Sequence, residues 1–486
     1  MMLALLCGLL STNQPNIVLI MVDDLGWRDT TARNSPAEDD TQIQLHTPHI
    51  QRLADEGVRL DQAYASASVC TPTRASLLTG AAPARHRITW WTLHHDRDTS
   101  AKHPTLRPPA WQKEGLQPSP NLLPERLRRA GYRTIHVGKA HWGAHGTPGS
   151  DPVQLGFDEN IAGHGSGAPG SYRGIHRFKN AKSTTDFTQQ SVWDVPGLEK
   201  YHDRDLFLTE ALAIEASRSI EAAVAAEEPF FLHFAPYAVH TPIMSNPRWM
   251  SETKDLPAVE ARYASLVRSV DAAVGVLLDR LEVLKIKDNT LVIFTSDNGG
   301  VSGYAGRPSN RNAPLRGSKS SPYEGGHRVP LIARWPKHIP PGSTSDALVV
   351  THDLHPTLLN WVDLKDSEKT VADGLNISSI LTGKQDLLDR FIVWHKPHRT
   401  GVKGARFMPC TAIRMGNEKL IAWHADQRFE LYDLKRDPGE QHNLADTQPE
   451  RVSELARILS HWCQDAGAQM SVDQERGESI PWFDAW

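Results

Sequence analysis

At 486 residues, 39% of them hydrophobic and 23% charged, the chain can bury a large core and lacks the composition of a disordered protein. Its formal net charge of -4 excludes the basic footprint of a nucleic-acid binder, so an anionic ligand would have to be drawn in by a local cationic pocket. Its 4 cysteines, Cys7, Cys70, Cys410 and Cys463, are too few for a disulfide framework, and Cys410 and Cys463 pair only if their geometry allows it.

The first residues, Met1 to Leu10, are apolar but lack a basic leading segment and a small-x-small cleavage site. They are also too short to span a bilayer. Residues 1–14 are therefore expected to be the end of an export signal or an unstructured start, and no other stretch reads as a membrane span. Asn16 to Val22 is a continuous apolar run, as expected of a strand buried on both faces of a parallel sheet. It stops at Asp23-Asp24. Adjacent carboxylates at a buried strand end are costly unless a cation or hydrogen bonds compensate them. A solvated turn and a metal site both satisfy that demand, and the habit of open α/β sheets to place ligands at the carboxyl ends of strands favours the metal.

Ile50 to Glu56 predicts a helix stopped by Gly57, and Val58 to Tyr64 leads into Cys70-Thr71-Pro72-Thr73-Arg74-Ala75-Ser76-Leu77-Leu78-Thr79-Gly80. Pro72 suits the first turn of a helix, where its missing donor is no loss, and Ala75 to Thr79 can continue that helix. Cys70 and Arg74 then lie near a helix N-terminus, which attracts anions. A buried structural cysteine is the ordinary reading of a lone thiol. This stretch, however, resembles the signature C-[ST]-P-[ST]-R-x-x-L-x-T-G of the type I sulfatases, within the alkaline phosphatase superfamily, and matches it throughout. The resemblance implies that Cys70 is matured to formylglycine, whose hydrate is the nucleophile, by a separate maturation enzyme.

Further boxes follow in the family's order. From Arg85 to Leu122 the chain is rich in His, Trp, Arg and Pro, including Trp90-Trp91, and has no period; it reads as a long loop of the kind that carries specificity. Its Trp and His suit sugar rings or simply local packing. A helix from Leu122 to Ala130 and a strand from Tyr132 to Val137 precede Gly138-Lys139-Ala140-His141-Trp142-Gly143, which resembles G-K-W-H-L-G with Ala140 and Trp142 substituted. Gly163 to Tyr172 is glycine-rich, and Arg173 to Asp203 is irregular and polar; both are expected to help shape a pocket. A helix over Asp205 to Ala226 and a strand over Pro229 to Ala235 lead to His240-Thr241-Pro242, similar to the family's H-x-P box. Glu260 to Leu284 has the apolar spacing of a long helix. The strand Thr290 to Thr295 runs into Ser296-Asp297-Asn298-Gly299, again placing an acid and an amide at a strand end.

Asp23, Asp24, Asp297 and Asn298 offer oxygen only, which suits calcium or magnesium better than zinc. The resemblance implies that these residues and Cys70 surround a cation, usually calcium. Leu315-Arg316-Gly317-Ser318-Lys319 and Glu324-Gly325-Gly326-His327-Arg328-Val329-Pro330 are similar to L-R-G-x-K…E-G-G-x-R-V-P, with Ser318 and His327 departing from the usual residues. Beyond about residue 389, short strands at 391–394, 410–415, 418–423 and 429–432 and a helix from 450 to 465 predict a small antiparallel sheet with one covering helix. Leu431 to Leu444 resembles the family's closing signature.

The expected fold is thus α/β: a large, mostly parallel mixed sheet sandwiched by helices over 15–388, and a small antiparallel subdomain over 389–486. The resemblance implies a sulfuric ester hydrolase acting on a sulfated carbohydrate, periplasmic or secreted. Cys70 would be the nucleophile, Arg74, Lys139 and Lys319 would face sulfate, His240 would be the acid and His141 the base. A phosphonate or phosphate ester hydrolase, or an unmatured glycan binder, are the alternatives.

Overall fold

The computed structural model describes residues 14–32, 45–179, 190–303, 311–364, 373–385, 389–402 and 407–486. The expected N-terminal signal and Cys7 lie outside the described residues. Eight strands form the main sheet: β1 (Asn16–Val22), β2 (Val58–Leu60), β3 (Arg133–Gly138), β4 (Glu159–Ile161), β5 (Phe230–Ala235), β6 (Thr290–Ser296), β7 (Leu331–Arg334) and β8 (Ser343–Ser345). Their order is β8-β2-β7-β6-β1-β5-β3-β4. Strand β7 runs antiparallel to β6 and β2, and every other pairing in the sheet is parallel.

The apolar run of β1 is divided by its period of two. Val18, Ile20 and Val22 enter one core with helices Leu208–Ala225 and Ala258–Val283. Ile17, Leu19 and Met21 enter the other with helices Cys70–Thr79, Leu123–Arg129 and Leu354–Trp361. Central position and cover on both faces explain why β1 is wholly buried. The carboxyl ends of β1 and β6 are adjacent because Val22 is paired with Ser296 in register. That pairing brings Asp23-Asp24 beside Asp297-Asn298.

Four further strands, β9 (Phe391–Lys396), β10 (Cys410–Met415), β11 (Glu418–Trp423) and β12 (Arg428–Asp433), form an antiparallel meander. On one face Val393, Ile413, Leu420 and Leu431 pack under helix Pro449–Asp465. On the other, Ile392, Trp394, Ile421 and Trp423 pack against Tyr64, Tyr323 and Val350 of the larger body. This division answers the question of pairing that the sequence left open. Cys410 and Cys463 are free thiols, because Cys410 faces the inner core while Cys463 belongs to the outer one, across the sheet. Among the described residues, no helix is long and apolar enough to cross a membrane.

Candidate active site

The helix that carries the signature begins at Cys70, a turn earlier than the Ala75 start of its clearest helix-forming run. Thr73 accounts for the difference: its hydroxyl accepts from the Ala67 amide (3.0 Å) and donates to the Ala67 carbonyl (3.1 Å), anchoring the approach to the first turn. Gly80, at φ 70°, closes the other end, its amide bonding the Ser76 carbonyl. The helix is buried from Cys70 to Leu78, so its N-terminus is held under the strand ends rather than in solvent.

Around the thiol the predicted residues fall into two layers. Cys70, His141, His240 and Lys319 line a cavity of about 490 Å³. Asp23, Asp24, Arg74, Lys139, Asp297 and Asn298 form a charged layer at the strand ends and are all essentially buried. Lys319 bridges the two, with Nζ 2.6 Å from Asp24 Oδ1 and 3.1 Å from Cys70 Sγ. Lys139 Nζ donates to Asp23 Oδ2 (2.8 Å), and Arg74 Nε donates to Asp297 Oδ2 (2.8 Å). Arg74 also bonds the Lys139 carbonyl at 2.8 Å, locking the two cationic segments together. Lys139 and Arg74, expected to face a sulfate, do not line this cavity; they bond Asp23 and Asp297, and Arg74 Nη2 is buried without a hydrogen-bond partner.

The electrostatics follow from burial. Burial raises the Asp23 carboxyl to about 7; the pull of Lys139 is offset by the neighbouring charges of Asp297 and Asp24. Burial likewise raises the Cys70 thiol to about 11 despite Lys139 and Lys319. Burial alone would lower Lys319, but Asp24 and the other acids outweigh it and hold the ammonium well above its ordinary range. Crowded carboxylates of this kind are what a divalent cation relieves. Asn298 is consistent with one: its Nδ2 donates to Asp24 Oδ1 at 2.8 Å, while its buried Oδ1 has no hydrogen-bond partner. Ligand atoms of Asp23, Asp24, Cys70 and His240 lie within 4.8 Å of one another. His240 Nε2 sits 3.7 Å from Asp24 Oδ2 and also lines the cavity.

His141 is fixed by its partners. Its Nε2 lies 2.8 Å from the Thr92 carbonyl and 3.1 Å from Thr71 Oγ1. A carbonyl only accepts, so Nε2 carries the hydrogen and Nδ1 is the basic nitrogen. That Nδ1 is buried without a hydrogen-bond partner. Burial, then the charge of Lys139, holds the imidazole neutral, well below its ordinary pKa. Gly167 lies so close that a Cβ there would stand 2.4 Å from His141 Cε1.

Composition alone could not show which residues of the long loop and the glycine-rich segment reach the site. Trp91, Trp193 and Gly167 to Gly170 line the cavity, joined by Val69 and Ser320. Their only sequence signal was an aromatic and glycine bias. By contrast, His233 lies in the core and is paired with His136 at 3.0 Å, as its place in the strand suggests.

Residues 15–364 match the family model described as Sulfatase, and residues 318–464 match the model of the C-terminal region of N-sulphoglucosamine sulphohydrolase. The chain is 30% identical to N-acetylgalactosamine-6-sulfatase of Mus musculus over 468 residues, covering 94% of this chain and 82% of the relative. It is 30% identical to arylsulfatase A of Homo sapiens over 494 residues, covering 94% and 89%. Among solved structures, that of Ps i-CgsB in complex with k-i-k-neocarrahexaose superposes with a TM-score of 0.76 at 26% identity, covering 96% of this chain and 95% of that one. With the thiol, two lysines, two histidines and strand-end acids drawn together, and with the family model spanning most of the chain, the protein belongs to the sulfatase family of the alkaline phosphatase superfamily and is a sulfatase.

Proposed function

We propose that the protein hydrolyses a sulfate ester of a carbohydrate through a formylglycine made from Cys70. The observation that carries this reading is the placement of Cys70 Sγ 3.1 Å from Lys319 Nζ in a cavity shared with His141 and His240. Asp23, Asp24, Asp297 and Asn298 would hold a calcium or magnesium ion beside the matured residue, and the ion would supply positive charge that lowers the pKa of the attacking hydroxyl.

The residues of the chain divide the remaining work. Lys319 is held protonated and reaches the cavity, where it would bind the sulfate oxygens. One hydroxyl of the Cys70-derived hydrate would lose its proton to solvent and attack sulfur, the new O–S bond forming as the bond to the alcohol oxygen breaks. His240 would give that oxygen its proton, so the alcohol departs neutral. Nδ1 of His141 would then take the proton of the second hydroxyl. The aldehyde C=O re-forms as the C–O bond to the sulfate breaks, which releases inorganic sulfate, and addition of water to the aldehyde restores the hydrate. Arg74 and Lys139 would orient Asp297 and Asp23 from behind.

The likeness to N-acetylgalactosamine-6-sulfatase and to a structure solved with an oligosaccharide supports a carbohydrate substrate. The resemblance to the family, more than the short apolar stretch from Met1 to Leu10, favours export to the periplasm or medium. The test is a mass measurement on the peptide containing Cys70, from protein made in a host with the maturation machinery, together with turnover of matched sulfate, phosphate and phosphonate esters. The formyl mass with preferential sulfate release is expected. A persistent thiol would sink the mechanism, and faster phosphonate or phosphate turnover would reassign the reaction.

A further inference from the structure

The cavity continues past the reacting groups, and its outer lining differs in character from its floor. Its only lysine is Lys319; the other titratable side chains are Cys70, His141 and His240. Beyond these, among the described residues, it is lined by Trp91, Trp193, Pro169, Pro242 and short or glycine positions, with no Arg, Asp or Glu. One anionic group is provided for, at the floor. Among the described residues, the outer lining offers a second one no countercharge.

Both tryptophans are held by the same scaffold that holds His141. Next to Trp91, the Thr92 amide donates to Thr71 Oγ1 at 3.2 Å and the Thr92 carbonyl accepts from His141 Nε2 at 2.8 Å. The Trp91 ring rests on a small cluster of Val69, Trp90 and Trp111. Trp111 is fixed in turn by a bond to Asp98 Oδ2 (3.0 Å), and Trp90 is stacked on His398 with centroids 5.4 Å apart. Across the chain, the Trp193 carbonyl accepts from the Gly170 amide at 2.6 Å. The neighbouring Val192 carbonyl accepts from Ser166 Oγ, which also bonds His145 Nε2 at 2.7 Å. Two partly exposed indoles on braced backbones are preorganised for a ring with apolar faces and hydroxyl edges.

We propose that Trp91 and Trp193 form the seat for the sugar ring that bears the sulfate ester, and that this ring carries no charge besides the ester itself. The substrate class is a monosulfated neutral or N-acetylated sugar unit, as opposed to a uronate or a unit with a second sulfate. The proposal deepens the carbohydrate sulfatase reading and rests on it for the ester. Trp91 and Trp193 are binding and specificity residues, acting on ring affinity and not on proton transfer.

The test uses the full chain with Cys70→Ser, which binds without turnover, in calorimetric titrations. The probes are galactose 2-, 3-, 4- and 6-sulfate, the galacturonate 2-, 3- and 4-sulfates that match the first three, and galactose 4,6-disulfate as the partner of the 6-ester. At least one galactose monosulfate should bind, and its galacturonate counterpart (for the 6-ester, the disulfate) at least ~10-fold more weakly, because the added anionic group is desolvated without a partner. Trp91→Ala and Trp193→Ala should each weaken binding on the order of 10- to 100-fold, with Phe at either position recovering most of it. In the matured enzyme the same Ala variants should raise KM more than they lower kcat. Unchanged melting temperatures would confirm that the variants fold. Equal or tighter binding of that galacturonate or disulfate counterpart, unaffected Ala variants, or no binding of any galactose monosulfate would each overturn the proposal. A parallel aryl sulfate assay on the matured enzyme reports on the sulfatase reading alone. Sugar binding without turnover would leave the ring seat standing and sink that reading; turnover without sugar binding would do the reverse.

Discussion

The surroundings of Cys70 hold its sulfur as an unreactive thiol. Burial raises its thiol to about 11, and only a thiolate alkylates. The rate of iodoacetamide labelling of the unmatured protein should therefore rise about tenfold per pH unit from neutrality towards that value. A labelling rate already level near neutral pH would contradict this environment. Lys139 gives a second residue-scale prediction. It is fully buried, 2.8 Å from Asp23 and 3.9 Å from Asp297. Lys139→Met leaves Asp23 without its paired cation, while Asp297 keeps Arg74, and should cost ~3–5 kcal/mol in urea unfolding. Added calcium should restore more stability to the variant than to the parent, because the ion takes over the missing charge. An equal calcium response in both proteins would argue against a cation at these acids. At this scale the strand-end acids were legible because a buried apolar run ending in carboxylates demands compensation. The bonds of Arg74 and Lys139 to Asp297 and Asp23 were not, since a motif names a residue without showing which way its bonds run.

Elements explain why the Glu324 and Glu440 motifs occur together. Lys419, on β11, lies 3.0 Å from both Glu324 and Glu440 and has no exposed surface. Glu440 accepts from the Glu324 amide at 2.7 Å, and Tyr64 donates to Glu324 Oε2 at 2.5 Å. This knot pins the small sheet to the segment just after Lys319. Lys419→Met should thus destabilise the protein by ~3–5 kcal/mol, because it removes the ammonium that two neighbouring buried acids share. Chemical denaturation would measure it, and a loss under ~1 kcal/mol would show that the knot contributes little. The pattern of short strands and a closing helix was readable from alternation and spacing. The knot was not: its members are some 95 and 116 residues apart along the chain, with no local signal joining them.

The whole molecule stores many neutral histidines. Burial lowers His136, His164 and His398 to about 3 and His352 and His395 to about 4, all remote from the thiol in sequence. Their folded pKa values lie below the unfolded value of about 6.5. Between the two, the unfolded chain binds more protons, so stability is present above about pH 6.5 and declines as pH falls through that window, by ~1.4 kcal/mol per pH unit for each such histidine. Urea midpoints followed from neutral to acid pH should drop steeply, with proton uptake on unfolding. A flat profile between about pH 6.5 and 4 would refute the neutral assignment.

The sequence by itself determined the family, the order of the strands' reactive ends and the chemical types at the site, because the signature and its companion boxes are local and a buried strand writes its burial into consecutive residues. Only the tertiary structure decided which groups face the cavity and which stand behind it, that Cys410 and Cys463 lie on opposite faces of one sheet, and that Trp91 and Trp193 meet over the same space. Those facts depend on register and on packing between distant segments, and no single stretch of the chain contains them.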